Sequence, residues 1–366
     1  MMLRKYRIGV IGHTGRGNYG HGIDTVWLDL PGCEIVGVAD ADERGRAAAV
    51  QRLQAPQGFA DYRQLLDATK PDIAAIGPRW LDQHRDMAVA AAQRGIHIYM
   101  EKPFCRTPQE ADEIVAACEQ HHVKLAIAHQ TRYSPRLQMV RQLIEEGAIG
   151  TLLELRGRGK EDSRGGGEDL WVLGSHVMNL MHHLGGEPQW CCGSVWEGGQ
   201  PVTKQHVRAG NEGIGPLAGD TIQAMYQLDQ GVAAYFGSRR QAAGNRFGVQ
   251  VFGSEGVIEI LTGHLPSAQI LQDPAWSPGR SGKAWIPISS AGIGQPEPLR
   301  DGGLHGGNVL ACLDLIAAIE EDRLPECNLY DARMTVEMIS AVFESHRLGG
   351  LVRFPLPNRG NPLDLL

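Results

Sequence analysis

Apolar and polar positions fall into short alternating blocks along the first third of the chain. Tyr6–Ile11 reads as a buried strand, and Cys33–Ala39, Pro71–Ile76, His97–Met100 and Val123–Ala128 repeat the pattern. The stretches between them have helical spacing: Gly22–Leu30, Glu43–Leu53, Asp61–Thr69, Asp82–Arg94 and Pro108–His121. In the fourth, Ala88, Ala91 and Ala92 allow close packing, and the last starts at Thr107 as N-cap or Pro108 as first helical residue. Strands alternating with helices imply βαβ units, so residues 1–128 are predicted to form a doubly wound, dinucleotide-binding α/β domain with a parallel sheet.

From His129 the texture changes. His129–Pro135 is a polar, aromatic link, Pro135–Glu146 an amphipathic helix stopped by Gly147, and Leu152–Arg158 a new strand. Thr221–Leu228, Val232–Ser238, Gly248–Gly253 and Gly256–Leu261 are strand-like segments separated by turns without helices, which predicts an antiparallel sheet. Gly263–Gln295, rich in Gly, Pro and Ser, reads as a long loop, and Asn308–Glu321 with Tyr330–Leu348 as closing helices. Residues 129–366 are thus expected to be one α+β domain with an open, mostly antiparallel sheet. One face should lie on helices, leaving the other for a partner.

At 366 residues the chain is long enough for two domains, and 42% hydrophobic with 21% charged residues is ordinary for a globular protein. The net charge of −7 argues against a nucleic-acid surface. Seven cysteines, with adjacent Cys191-Cys192 and no CxxC, indicate reduced thiols rather than a disulfide framework or zinc ribbon. No apolar run reaches about 18 residues, so no membrane-spanning helix is expected. The basic opening segment leads straight into a strand without a small-residue cleavage site, and a cytoplasmic location is expected.

Three stretches carry chemistry. After the first strand, Gly12 and Gly17 fill the outer positions of a GxGxxG-like turn, with Thr14 in the middle place and Gly15 beside it. Such a turn lets backbone N–H groups approach a pyrophosphate. Asp40, ending the second strand, is placed to accept both ribose hydroxyls of an adenosine, which favours NAD; Arg44 and Arg46 nearby keep NADP possible. Asp40 is equally suited to cap the following helix. Glu101-Lys102-Pro103 sits at the carboxyl end of a strand, where open α/β sheets bind ligands. Lys102 can reach a substrate there, and Pro103 stiffens the backbone and allows a cis peptide; the plain alternative is a surface turn with an ion pair.

The third stretch is the triglycine Gly165–Gly167 with Glu168 and Asp169, ahead of a helix predicted over Leu170–Leu184. The triglycine admits close approach of a ligand or of another backbone. Asp169, Val172, Leu173, His176, Asn179, Leu180 and His183 share one face at helical spacing. His176 is the natural general acid/base, and a histidine packed against a sheet is the plain alternative. His182 and His183 read as cations at the helix C-terminus. His176, His182 and His183 lack the i, i+4 spacing of a zinc pair, so no metal is expected.

Together these stretches resemble the glucose–fructose oxidoreductase/inositol dehydrogenase/MocA family of NAD(P)-dependent oxidoreductases, over nearly the whole chain. The resemblance rests on Gly12–Gly17, Asp40, Glu101-Lys102-Pro103, Arg132-Tyr133-Ser134-Pro135, Gly174-Ser175-His176, the Gly253–Gly256 turn and the closing helices. It implies an N-terminal Rossmann domain and a C-terminal sheet that builds homodimers or homotetramers. It also implies NAD (or NADP) as cofactor and a sugar, inositol or related polyol oxidised at a secondary hydroxyl. Lys102 matches the family's catalytic lysine and His176 its histidine. The cofactor set is then Gly12, Thr14, Gly15, Arg16, Gly17, Asp40, Pro78, Glu101 and Lys102, and the substrate set His129, Arg132, Tyr133 and Asn179.

One departure matters. The family often places an aspartate one helical turn before the histidine and another three residues after it; here these are Val172 and Asn179. A histidine without a carboxylate neighbour is a weaker, less firmly oriented base. Asp169 lies two turns earlier, about 10 Å away by helix rise. The expectation is an acid/base set drawing on Glu168 or Asp169, or a relative of reduced activity. The rivals are a redox-inactive NAD-binding sensor and a lyase or hydrolase working through transient oxidation.

Overall fold

The structure, a computed structural model, describes residues 5–241 and 246–366; the first four residues of the basic opening segment lie outside it. The chain divides into two compact units: Met1–Gln130 with Glu212–Ile214 and Leu304–Arg333, and Thr131–Asn211 with Gly215–Gly303 and Met334–Leu366. The first unit thus runs to Gln130 and takes in the segment from Leu304 to Arg333.

Six parallel strands build the first unit: β1 (Tyr6–Ile11), β2 (Cys33–Ala39), β3 (Gly58–Phe59), β4 (Ile73–Ile76), β5 (His97–Met100) and β6 (Leu125–Ile127), in the order β3-β2-β1-β4-β5-β6. Ile11 lies beside both Ala39 and Ile76, and Ile76 beside Met100, so the strands end together on one edge. The order reverses between β1 and β4, and that edge is where doubly wound sheets take ligands. Ile8, Val10, Val38, Ile73, Ile76 and Ile98 have no exposed surface, which explains why these strands read as continuous apolar runs.

The helices follow their caps. Asp42 caps α1 (Glu43–Arg52) through the Gly45 amide, so the cap is Asp42 and not Asp40. Asp61 caps α2 (Tyr62–Thr69), and α3 spans His84–Ala92. Thr107 caps α4 (Pro108–Gln120) through the Glu110 amide. The expected helix over Gly22–Leu30 is absent; only a 3-10 turn forms at Val26–Asp29. Gly20 and Gly22 have φ of 68° and 86°, conformations that end a right-handed helix before it starts.

In the second unit, α5 (Pro135–Glu145) is capped by Ser134 and precedes β7 (Leu152–Arg158). Strand β7 pairs in parallel with Ala233–Arg239 and antiparallel with Gly248–Gly253, at the middle of a large, otherwise antiparallel sheet. Three of its strands of four residues or more have no counterpart in the sequence pattern, Trp190–Glu197, Ala268–Leu271 and Ile286–Ser289, and the last two lie in the stretch from Gly263 to Gln295 expected to be a long loop. One face is covered by helices, closely enough that a Cβ on Gly157 would lie 2.4 Å from Val177 and one on Gly193 2.8 Å from the Val342 carbonyl oxygen. The opposite face exposes Arg156, Cys192, Gln223, Tyr235 and Arg239. Among the described residues no helix is long and apolar enough to cross a membrane.

Asn308, on the helix Gly303–Glu320, explains why that segment belongs to the first unit. It has no exposed surface; its carbonyl accepts from Tyr99 Oη (2.8 Å) and Gln130 Nε2 (3.2 Å), and its amide donates to the His21 carbonyl (2.9 Å). Replacing it with alanine strands three buried polar groups, each loss costing about 1–3 kcal/mol. Asn308→Ala is therefore expected to lower the urea midpoint of the first unit's transition more than any exposed substitution on the same helix.

Candidate functional site

At the strand-end edge of the first unit two acids are buried, and both are answered by the segment that follows β1. Asp40, 1% exposed, accepts from the Thr14 amide (3.1 Å to each oxygen), Thr14 Oγ1 (2.7 Å), Tyr19 Oη (2.9 Å) and the Asp42 amide (3.0 Å). Glu101, with no exposed surface, accepts from the His21 amide (2.7 Å) and its own neighbour's amide at Lys102 (3.0 Å), and lies 2.6 Å from His21 Nδ1. Burial works to raise the Glu101 carboxyl; the bond and charge of His21 and the charge of Lys102 outweigh it and hold it below its ordinary value.

The glycine-rich turn is tight and satisfied within itself. His13 and Asn18 exchange backbone bonds, the Gly15 amide donates to Asn18 Oδ1 (3.1 Å), and the Arg16 amide donates to the His13 carbonyl (3.0 Å). The turn also abuts the loop after β4. A Cβ on Gly17 would lie 2.4 Å from the Arg79 nitrogen, and one on Gly20 2.5 Å from both Glu101 and the Gly77 carbonyl. Arg16 stacks 4.4 Å over Trp80 and pairs with Asp82. Beside the turn a crevice of about 160 Å³ opens at the ends of β1 and β2, walled by Gly12, His13, Asp40, Tyr62 and Met87.

Lys102 follows Glu101 at the end of β5, 7% exposed, and its bond to Pro103 is cis. His84, which the sequence did not single out, fixes this turn. Fully buried, its Nδ1 faces the Pro103 carbonyl (3.0 Å) and its Nε2 the Pro78 carbonyl (2.6 Å), tying the loops after β4 and β5. Pro78 thus serves as a structural acceptor. His21 was missed as well; its signal was a histidine directly after the last glycine pair, with a buried acid at position 101.

The cofactor test is chemical. The hydroxyls on Asp40 are the same donor type as a ribose diol, and a Cβ on Gly15 would meet nothing within 4 Å. The residues therefore fit a dinucleotide at the turn, with the acceptor positions of Asp40 engaged by internal donors. Asp40 does not stand open as an acceptor, as its place in the sequence suggested.

In the second unit the expected Leu170–Leu184 helix is two: α6 (Gly167–Val172) and α7 (Gly174–Gly185), broken at Leu173. The break undoes the single face on which Asp169 and His176 were aligned. Asp169 is wholly buried and turned to the sheet, where it accepts from Ser238 Oγ (2.5 Å), the Glu161 amide (3.1 Å) and the Lys160 amide (3.2 Å). Burial, against these bonds, pushes its carboxyl up. This is the setting of a structural acid, not of the substrate contact expected. Glu168 is half-buried and accepts from Asn211 Nδ2 (3.0 Å). The triglycine serves backbone packing: Cβ atoms there would meet Arg239, Arg240, Ala218 and Gly219 main chain at 2.2–2.4 Å.

His176 is half-buried at the start of α7, edge-on to Phe247 at 6.0 Å. Asn179 is buried, accepting from Arg132 Nη1 (2.9 Å) and donating to Thr335 Oγ1 (3.0 Å). Tyr133 and His129 are both buried, at 4% and 2% exposure. His182 pairs with Glu187 (2.9 Å), but His183 is no cation: burial and then the charge of Arg132 push it down to about 2.

A doubly wound sheet of this strand order with a glycine turn after β1 defines a Rossmann-type domain, joined in this chain to a second, sheet-based domain. Two models agree: the oxidoreductase family with NAD-binding Rossmann fold matches residues 6–129, and the GFO/IDH/MocA C-terminal domain matches residues 137–259. The chain belongs to the GFO/IDH/MocA family. A levoglucosan dehydrogenase from Pseudarthrobacter phenanthrenivorans is 27% identical over 60% of this chain and 63% of its own length. A D-apiose dehydrogenase from Paraburkholderia graminis is 36% identical over 34% of this chain and 33% of its own. The matched segments thus span less than two thirds of these relatives. A solved levoglucosan dehydrogenase in complex with NADH and levoglucosan shares the fold, with a TM-score of 0.76 at 21% identity, covering 96% of this chain and 100% of that one.

Because the Glu101 carboxyl is held below its ordinary 4.5, its contribution to stability is complete above that pH and is lost as pH falls through the folded value. Glu101→Gln leaves His21 and the Lys102 amide short of a charged acceptor, a loss of about 3 kcal/mol at neutral pH. Denaturant titrations should show the gap to wild type narrowing as pH drops below 4.5; a gap that is constant with pH would contradict the ionised pairing.

Proposed function

We propose that the chain is an NAD(P)-dependent oxidoreductase acting on a secondary hydroxyl of a sugar, inositol or related polyol. The observation that carries this reading is Lys102, almost buried at the end of β5, with its backbone amide bonded to the buried Glu101 carboxylate. The family and the sugar dehydrogenases among its relatives support the substrate class. Bound nicotinamide supplies the hydride acceptor. The role of proton acceptor for the hydroxyl goes to His176, and that of stabilising developing negative charge on oxygen to the Lys102 ammonium. Arg132, placed by Asn179, and Tyr133 border the substrate with His129.

A redox-inactive sensor of the same fold is the second reading, favoured by Val172 and by Asn179, whose carbonyl is committed to Arg132. Incubation with NAD or NADP and a panel of sugars and polyols, following reduced nicotinamide by absorbance, separates the two: nucleotide binding without reduction by any substrate selects the sensor. Lys102→Ala is expected to abolish turnover while leaving dinucleotide affinity within a few-fold, and His176→Ala to lower kcat by about 10²–10⁴. Loss of binding in the lysine variant would make Lys102 structural.

The exposed sheet face around Tyr235 and Arg156 is the surface proposed for homodimer or homotetramer formation. Tyr235→Asp should reduce the sedimenting species to monomer with far-UV circular dichroism unchanged; an unaltered sedimentation coefficient would move the interface elsewhere.

A further inference from the structure

We propose that Thr14 and Tyr19 determine the dinucleotide preference of this chain, because their hydroxyls occupy the Asp40 carboxylate that would otherwise read the adenosine ribose. The inference rests on the NAD(P)-dependent reading above and asks which groups of this chain do the discriminating. A carboxylate offers roughly four acceptor positions. Here two hydroxyls and two amides already fill them, with the Thr14 amide spanning both oxygens.

The arrangement is built, not incidental. Thr14 stands at the middle position of the glycine pattern, where a glycine would carry no side chain toward the ribose. A Cβ on Gly45 would lie 1.9 Å from Thr14 Oγ1, so the first turn of α1 leaves the room that this hydroxyl uses. A Cβ on Gly12 would lie 2.1 Å from the Tyr19 ring, so the first glycine makes space for the phenol. The Arg52 guanidinium, 4.9 Å from the ring centroid, holds the phenol in place. Burial and then the Asp40 charge push the Tyr19 hydroxyl up, which keeps it a donor.

The consequence is a change in what the crevice presents. Asp40 is 1% exposed, and its charge is spent on internal donors. At the same strand end the Arg46 guanidinium donates to the Asp40 carbonyl (2.7 Å), and Arg63 lines the crevice, while Asp61 is engaged as the cap of α2 through the Arg63 amide (2.6 Å). A 2′-phosphate there meets guanidinium groups and an acid whose acceptor positions are already filled, in place of an open carboxylate. The chain should therefore bind NADP about as well as NAD. Removing the two hydroxyls should hand Asp40 back to the ribose and create a preference for NAD.

Fluorescence titrations of NADH and NADPH onto the full chain test this with wild type, Thr14→Gly, Tyr19→Phe and the double variant. Circular dichroism and thermal melting check the fold of each. The wild type is expected to discriminate by less than about threefold, and the double variant to bind NADH about tenfold tighter with no gain for NADPH, the scale of one or two hydrogen bonds to a charged group. Tyr19→Phe alone, which keeps the backbone and ring, should move the ratio in the same direction should the glycine variant not fold. A wild type that already favours NADH tenfold, or folded variants with an unchanged ratio, overturns the proposal while leaving the NAD-dependent reading intact. Folded proteins that bind neither nucleotide remove both.

Discussion

Two carboxylates buried at the ends of parallel strands set the terms for the whole dinucleotide edge. Taking an ionised carboxylate out of water costs several kcal/mol unless charged or well-aligned donors replace the lost hydration. Asp40 at the end of β2 and Glu101 at the end of β5 are too far apart in the sheet to share donors. One segment, the eleven or so residues after β1, serves both: Thr14 and Tyr19 turn to Asp40, and His21 turns to Glu101. Spanning that distance forces the segment across the ends of β1 and β4. Beyond Gly20 and Gly22, both at positive φ, only the 3-10 turn at Val26–Asp29 forms.

This also changes what the glycines mean. From the sequence they look like a cradle for phosphate. In the structure Gly12, Gly17 and Gly20 are required by close approach, since Cβ atoms there would strike Tyr19, Arg79 and Glu101. The sequence pattern could not tell these causes apart, because a cradle and a crowded crossing both select against a side chain. The legible part was the sheet: buried parallel strands carry an apolar run that little else imitates, and the cap at Thr107 marked a helix start.

The second unit was harder to read for a related reason. Trp190–Glu197 alternates Cys191 and Val195 inward with Cys192 outward, a half-buried strand whose polar and sulfur-bearing residues hide its period. Ala268–Leu271 and Ile286–Ser289 are four residues each within Gly- and Pro-rich surroundings, too short to show a period at all. The Asp169–His183 face failed because it assumed one unbroken helix. Gly174, where a Cβ would come 3.0 Å from the Phe236 ring, lets the chain press onto the sheet and turn at Leu173, and Asp169 is carried to Ser238 instead of toward His176.

That displacement bears on how the acid/base chemistry has to run. With Val172 aliphatic, Asp169 bonded to the sheet and Asn179 neutral, the helix around His176 supplies no carboxylate from any of the three positions where one was sought. Asn179 in turn binds Arg132 without cancelling its charge, and that charge helps hold His183 neutral. In the proposed reaction a histidine with valine where an aspartate would stand is a weaker, less firmly oriented base, so more falls to stabilisation of the alkoxide. In that proposal the ammonium of Lys102 supplies the stabilisation, so the backbone turn that carries it, held by the Lys102 amide on Glu101 and by His84 on the Pro103 carbonyl, matters more here than in a relative with an aspartate beside its histidine.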